Sequence, residues 1–309
     1  MMSRAGGLRL RLFVWIVVSA LAASCIAAGP PGPATVYSPP SPAAPPVELP
    51  NRDGALKFGV IGDFGTGSRQ QYQLADQMAA LRTRFPFELM LTVGDNIYGS
   101  ERPRELVRKF EAPYKALLGA GVKFYASLGN HDSREQRLYR LFNMDGRLYY
   151  TFKPPSQDVR FFALDSGYLE PAQLEWLEKE LSSAKEAWKI PYFHHPLYSS
   201  GSRHGSDVSR RQVLEPLFVK HGVSIVFAGH DHIYERVLPQ QGIVHFVVGS
   251  SGQLRRGNLN RRTGLTAAGN DTDQVFLAAE IFGDEMHFNA ISRTGQIVDS
   301  GVIERRKPE

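Results

Sequence analysis

Residues 56–67 read LKFGVIGDFGTG, a short and largely apolar run that stops at Gly62-Asp63. A run of this length closed by a glycine and a carboxylate is the pattern of a buried strand feeding a turn. The pattern returns as FELMLTVGD (87–95), VKFYASLGN (122–130), VRFFALDSG (159–167), IPYFHHP (190–196) and VSIVFAGHD (223–231). Between the runs, helices are predicted over Arg69–Arg84, Arg104–Leu118, Pro171–Ala184 and Ser209–His221. Strands alternating with helices indicate α/β architecture. From residue 243 onward the chain turns β-rich, with IVHFVVGSS, VFLAAEIF, EMHFNAIS and QIVDSGVIE separated at FGDE and SRTGQ by hairpin-like turns. The expectation is one α/β domain over residues 53–309, carrying an added antiparallel sheet.

What precedes residue 53 reads differently. Arg4, Arg9 and Arg11 stand before an uncharged apolar run, Leu12–Ala28, which is the layout of a secretory signal peptide over residues 1–28. The single cysteine, Cys25, closes the stretch LAASC, which resembles a bacterial lipoprotein cleavage box with Ala22 where leucine is preferred. Membrane attachment through a lipidated Cys25 is therefore one expectation, and a plain cleavage site the other. A lone cysteine allows no intramolecular disulfide, so core packing must supply the stability of an exported domain, with bound metal as a further candidate source. Residues 29–52 hold 9 of the 20 prolines and are expected to form a semi-extended linker. Removing the signal with its three arginines takes the formal charge from +5 to +2, too weak a basic balance to argue for nucleic acid.

The chemistry collects at the ends of the strands: Asp63, then Asp95 and Tyr98 in GDNIY, Asn130 and His131 in GNHD, His194 in HHP, and His230 and His232 in GHDH. In open α/β sheets the carboxyl ends of the strands are where ligands bind. A carboxylate placed between two cations can bridge them while imidazoles and an amide oxygen complete each set of ligands, so this is a kit for two metal ions. The glycine-rich start, IGDFGTG, is not a phosphate cradle, since no Gly-Lys-Ser/Thr follows it. It is not the Asp-Phe-Gly of a kinase either, because the catalytic-loop signature is missing.

The blocks GDFG, GDNIYG, GNHD, HHP and GHDHIYER resemble the five signature blocks of the purple acid phosphatases, a branch of the calcineurin-like metallophosphoesterases, and the resemblance runs from Leu56 to about Gly252. It implies a four-layer α/β/β/α sandwich of the small, single-domain type. It also implies that Asp63, Tyr98 and His232 bind Fe(III), that Asn130, His194 and His230 bind a divalent ion (Zn, Fe or Mn), and that Asp95 bridges the two. The wider family usually has Asp-x-His at the first block, whereas this chain has Gly65 in the histidine's place. Tyr98 is expected to fill the vacated coordination position.

Two cations about 3.5 to 4 Å apart would acidify a water held between them, and the resulting hydroxide would attack phosphorus in line. His131, oriented by Asp132, would protonate the leaving group, and His204 falls where the family places a substrate-contacting histidine. His195 is read as a supporting residue, because neighbours on an extended strand point to opposite faces and His194 has the family's spacing to Pro196. His221, His245 and His287 are read as structural. Asp165 is read as a supporting acceptor or a turn carboxylate, and the arginines of residues 250–264 as solvated loop charge or a basic rim. The resulting expectation is an exported binuclear-metal phosphatase acting on small-molecule phosphate monoesters. The rival readings are a phosphodiesterase or nucleotidase on the same centre, and an exported protein that holds metal or phosphate without turnover.

Overall fold

A computed structural model describes residues 48–307; the expected signal peptide, Cys25 and all of the linker before Glu48 lie outside the described residues. In the first half of the chain the strands are β1 (Leu56–Ile61), β2 (Leu89–Val93), β3 (Lys123–Ser127), β4 (Tyr150–Phe152), β5 (Val159–Ala163) and β6 (Trp188–Tyr192). The second half adds β7 (Ile225–Ala228), β8 (Tyr234–Val237), β9 (Val244–Val248), β10 (Thr266–Asn270), β11 (Val275–Phe282), β12 (Glu285–Ser292) and β13 (Ile297–Glu304). The helices are α1 (Arg69–Arg82), α2 (Pro103–Leu106), α3 (Lys115–Gly119), α4 (Pro171–Ser183) and α5 (Val208–Lys220).

The strands form two mixed sheets, ordered β13-β12-β11-β1-β2-β3 and β10-β8-β9-β7-β6-β5-β4. The late antiparallel strands are therefore not the added, separate sheet that their composition suggested. β11 pairs with β1 through the register Phe58↔Ala279, and so the hairpins extend the first parallel sheet. Two-residue alternation explains the layering: Phe161, Ile190 and Phe227 face inward between the sheets, while Phe162, Phe193 and Val226 face outward under α4 and α5. Phe58 meets Phe161 and Phe227 edge-on, with ring centroids at 5.5 and 6.1 Å, and Phe246 meets Phe288 at 5.0 Å. These contacts join one sheet to the other, and each is worth about 0.5–1.5 kcal/mol beyond burial. On the far side of the first sheet Leu74, Ala75 and Met78 of α1 and Leu117 of α3 are buried. The result is the α/β/β/α sandwich.

The expected helix over Arg104–Leu118 is broken. A wide π-helical turn over Val107–Glu111 separates α2 from α3, and Pro113 has no backbone N–H to continue the helical ladder. The packed domain also reaches back past residue 53: Leu49 packs on the core and the Arg52 backbone N–H donates to the buried Glu280 carboxylate at 3.2 Å. No helix among the described residues is long and apolar enough to cross a membrane.

Candidate metal centre

Parallel register lines up the strand ends. Ile61 pairs with Thr92 and Val93 with Ser127 in one sheet, while Tyr192 pairs with Phe227 in the other. The loops that follow these residues therefore start from two facing edges. Asp63, Asp95 and His230 each adopt a positive φ, of 53°, 50° and 70°, so the backbone swings abruptly and brings their side chains into the cleft. For residues other than glycine this conformation costs about 1–2 kcal/mol each. The glycines just before the ligands have a steric reason. A Cβ on Gly129 would lie 2.2 Å from Asp95 Oδ1, and one on Gly229 would lie 2.5 Å from Asp63 Oδ2.

Two corners result. In the first, the Tyr98 hydroxyl donates to Asp63 Oδ1 at 3.1 Å and sits 3.2 Å from His232 Nε2, which is itself 3.5 Å from the same carboxylate oxygen. In the second, His194 Nε2 lies 3.0 Å from Asn130 Oδ1, 3.1 Å from His230 Nδ1 and 3.5 Å from Asp95 Oδ1. Ligand atoms of Asp63, Asp95 and His194 fall within 4.8 Å of one another, so Asp95 stands between the corners. All seven residues expected as metal ligands are thus brought together.

The donor set fits cations. Asp63 and Asp95 are 0% and 1% exposed. Burial raises the Asp63 pKa well above the usual carboxylate range, and the Asp95 charge adds to that against the opposing pull of His194. Burial, then the charges of Asp63 and Asp95, raises the Tyr98 phenol as well. His230 is pushed down to about 2, first by burial and then by His194. The raised Asp63 and Tyr98 shifts make their anions unfavourable alone, and a bound divalent or trivalent ion would invert both, whereas the lowered His230 shift already keeps that imidazole neutral, as a metal ligand must be. His194 is oriented to offer a lone pair. Its Nδ1–H donates to the Val93 carbonyl at 2.9 Å, which leaves Nε2 free for a cation.

Around this cluster the other expected residues divide. His131 is exposed, its ring lies 4.9 Å from that of Tyr98, and its backbone N–H donates to Asp95 Oδ1 at 2.9 Å. Asp132 does not orient the His131 imidazole. Its carboxylate accepts from the backbone N–H groups of Asn96, Ile97 and Gly129 and from the Gln136 amide, at 2.8–3.0 Å, and so pins the loop that carries Tyr98. His204 stacks obliquely on His230 with centroids 4.1 Å apart, and burial lowers its pKa. His195 lies beyond the end of β6, where strand alternation no longer applies, so its ring sits 4.5 Å from that of His230 on the same side as His194. Asp165 closes a turn by accepting from Gly167 and Tyr168. His221 meets Glu178 and His287 meets Glu285, while His245 packs on Tyr198, all outside the cluster. Arg255 is exposed but close enough to add to the burial that lowers His232.

Two residues escaped the sequence reading. Ser166 bonds both backbone N–H groups of the histidine pair. Asp231, fully buried between His230 and His232, accepts from the Ser199 hydroxyl at 2.6 Å and the Gly205 N–H at 3.0 Å. It thereby holds the loop that carries His204. The signal was present in the motif, since an acidic residue set between two histidines at a strand end and turned into the core needs donors from somewhere.

The family model for calcineurin-like phosphoesterases matches residues 56–234. Purple acid phosphatase 17 of Arabidopsis thaliana is 29% identical over 250 residues, covering 69% of this chain and 73% of the relative. Among solved structures, GAP50, described as the anchor in the inner membrane complex of Plasmodium, aligns with a TM-score of 0.69 at 19% identity over 82% of this chain and 90% of its own. The purple acid phosphatase PPD1 from seeds of yellow lupin, Lupinus luteus, aligns with a TM-score of 0.65 at 18% identity over 83% of this chain and 55% of its own. With a family model spanning more than half of the sequence and two sheets whose facing edges gather carboxylates, imidazoles and a phenol, the chain belongs to the calcineurin-like phosphoesterases, has purple acid phosphatases among its relatives, and is a metal-dependent phosphoester hydrolase.

Proposed function

We propose that the protein is an exported phosphomonoesterase of purple acid phosphatase type, holding Fe(III) at Asp63, Tyr98 and His232 and a divalent ion at Asn130, His194 and His230, with Asp95 shared. The observation that carries this reading is the phenol of Tyr98, 3.1 Å from a carboxylate oxygen and 3.2 Å from an imidazole nitrogen. A phenolate with carboxylates suits a hard trivalent ion, and the imidazole-rich corner suits Zn(II), Fe(II) or Mn(II). When bound, the two ions supply an acidified water and neutralise charge on the phosphoryl oxygens.

The chain's own residues supply the rest. His131 stands at the rim against Tyr98, on the side open to solvent, where it would deliver a proton to the departing ester oxygen. Asp132 acts at one remove by fixing the Asp95–Tyr98 loop through the backbone N–H groups of Asn96 and Ile97 and the Asn96 amide, and by tying that loop to Gly129 and Gln136. His204 overhangs His230, and the nearby charges of Arg203 and Arg255 favour a dianionic monoester over a monoanionic diester. Export is supported by the basic and apolar layout of residues 1–28, and a lipid anchor at Cys25 by the LAASC stretch.

Turnover of p-nitrophenyl phosphate against its bis ester, with metal analysis of the same preparation, tests the reading. Monoester preference with iron and one divalent ion per chain is expected. Diester preference favours the phosphodiesterase or nucleotidase reading. Metal without turnover favours a binding protein.

A further inference from the structure

The two adjacent histidines, His194 and His195, face different partners, and the partners fix different tautomers. A carbonyl oxygen can only accept, so the contact of His194 Nδ1 with the Val93 carbonyl places a proton on Nδ1. His195 Nδ1 faces instead the Ser166 hydroxyl, at 2.9 Å. That oxygen already accepts two backbone N–H groups, from His194 at 3.2 Å and His195 at 3.1 Å. A hydroxyl has two lone pairs and one proton, so both lone pairs are taken and only the proton remains to be shared. Ser166 therefore donates to His195 Nδ1, and the neutral ring carries its own proton on Nε2. The Arg210 guanidinium holds the Ser166 carbonyl, which keeps the hydroxyl in place.

An imidazole whose Nε2 is protonated and whose Nδ1 is already engaged has no lone pair for a metal. Yet a ring nitrogen of His195 lies within 4.8 Å of ligand nitrogens of His194 and His230. Ser166 is fully buried and His195 is partly exposed, so the ring edge turned away from Ser166 is the one that meets the cleft. We propose that His195 is not a metal ligand but a neutral hydrogen-bond donor to a phosphoryl oxygen of the substrate, with Ser166 as the positioning residue that sets its Nε2–H tautomer. The inference rests on the assignment of the two corners under Proposed function.

The tautomer is read in the wild-type full chain reconstituted with Zn(II), by long-range proton–nitrogen NMR correlation. The expected His195 pattern is a protonated Nε2 and an unprotonated Nδ1; a protonated Nδ1 overturns the proposal. Three variants read the function, with inorganic phosphate as a competitive inhibitor and metal content measured on each. His195→Ala and Ser166→Ala are expected to keep the wild-type metal content and to bind phosphate about tenfold more weakly, the effect of one lost hydrogen bond. His195→Gln, whose amide N–H reaches the Nε2 position, is expected to recover most of that loss. Loss of a metal equivalent in His195→Ala, or unchanged phosphate inhibition in both alanine variants, overturns it. Failure of the underlying assignment looks different: the wild type would then take up no metal pair, while the same spectrum would still report the tautomer.

Discussion

A side chain at residue 65 would have nowhere to go. A Cβ there would lie 1.8 Å from the Asn96 carbonyl oxygen and 2.6 Å from the Ile97 Cα. The backbone that delivers Tyr98 runs through the space a histidine would need, and the Tyr98 N–H donates to the Gly65 carbonyl at 3.0 Å. Gly65→Ala should therefore destabilise the fold by about 2 kcal/mol or more, measured by denaturant unfolding. Loss of the phenol in Tyr98→Phe should abolish the visible charge-transfer band expected of a tyrosinate on Fe(III); a colourless wild type with full activity and no iron would sink the iron assignment. Asp95→Asn should lose both turnover and metal. His131→Ala should lose turnover by about 10²–10⁴-fold with its metal retained, which is the range for a general acid. The cluster of candidate ligands was legible because each sits at a strand end in a recognisable block. The Ser166 contact was not, because it joins residues 28 and 29 positions apart through a hydroxyl that no motif marks.

At the level of elements, the loop from Ser199 to Ser206 is held from below by two buried carboxylates. Asp231 takes the Ser199 hydroxyl and the Gly205 N–H, and Glu235 takes the Ser200 N–H at 2.7 Å. The Ser199 and Gly205 donors share Oδ2, so in Asp231→Asn the amide oxygen can keep them only by turning its NH2 against the Asn258 amide, and the charge that strengthens both bonds is gone, a loss of about 1–3 kcal/mol in holding the loop. The expected outcome is a raised KM resembling that of His204→Ala, with metal content unchanged. Wild-type kinetics in Asp231→Asn beside an impaired His204→Ala would show that the loop needs no such anchor. The central strands and three of the four expected helices were readable from periodicity alone. The pairing of β11 with β1 was not, since register between strands more than 200 residues apart leaves no trace in either strand's own pattern.

For the molecule as a whole, the candidate ligands come from both sheets. Asp63, Asp95, Tyr98 and Asn130 follow β1, β2 and β3, whereas His194, His230 and His232 follow β6 and β7. Metal binding thus ties one sheet to the other, and stripping the ions with chelator should lower Tm by about 10 °C or more, recovered on adding them back. A second global effect is acid sensitivity. His245 on β9 is 3% exposed, and burial with the Arg211 charge pushes its pKa from the ordinary 6.5 down to about 3. Below pH 6.5 the unfolded chain binds a proton that the native state refuses until about pH 3. Stability should therefore fall through that window by up to about 1.4 kcal/mol per pH unit. Denaturant unfolding at pH 7 and pH 4 should show a shallower decline in His245→Leu than in the wild type.

The division of ligands between sheets carries one more consequence. If Tyr98 from one sheet and His232 from the other hold the same iron, the energy of the tyrosinate band depends on how far apart the two edges stand. Colour would then serve as an optical gauge of the core. Trimming Phe58 or Phe246, whose rings lie between the sheets and which belong to no ligand block, should shift the absorption maximum before it costs the protein its fold.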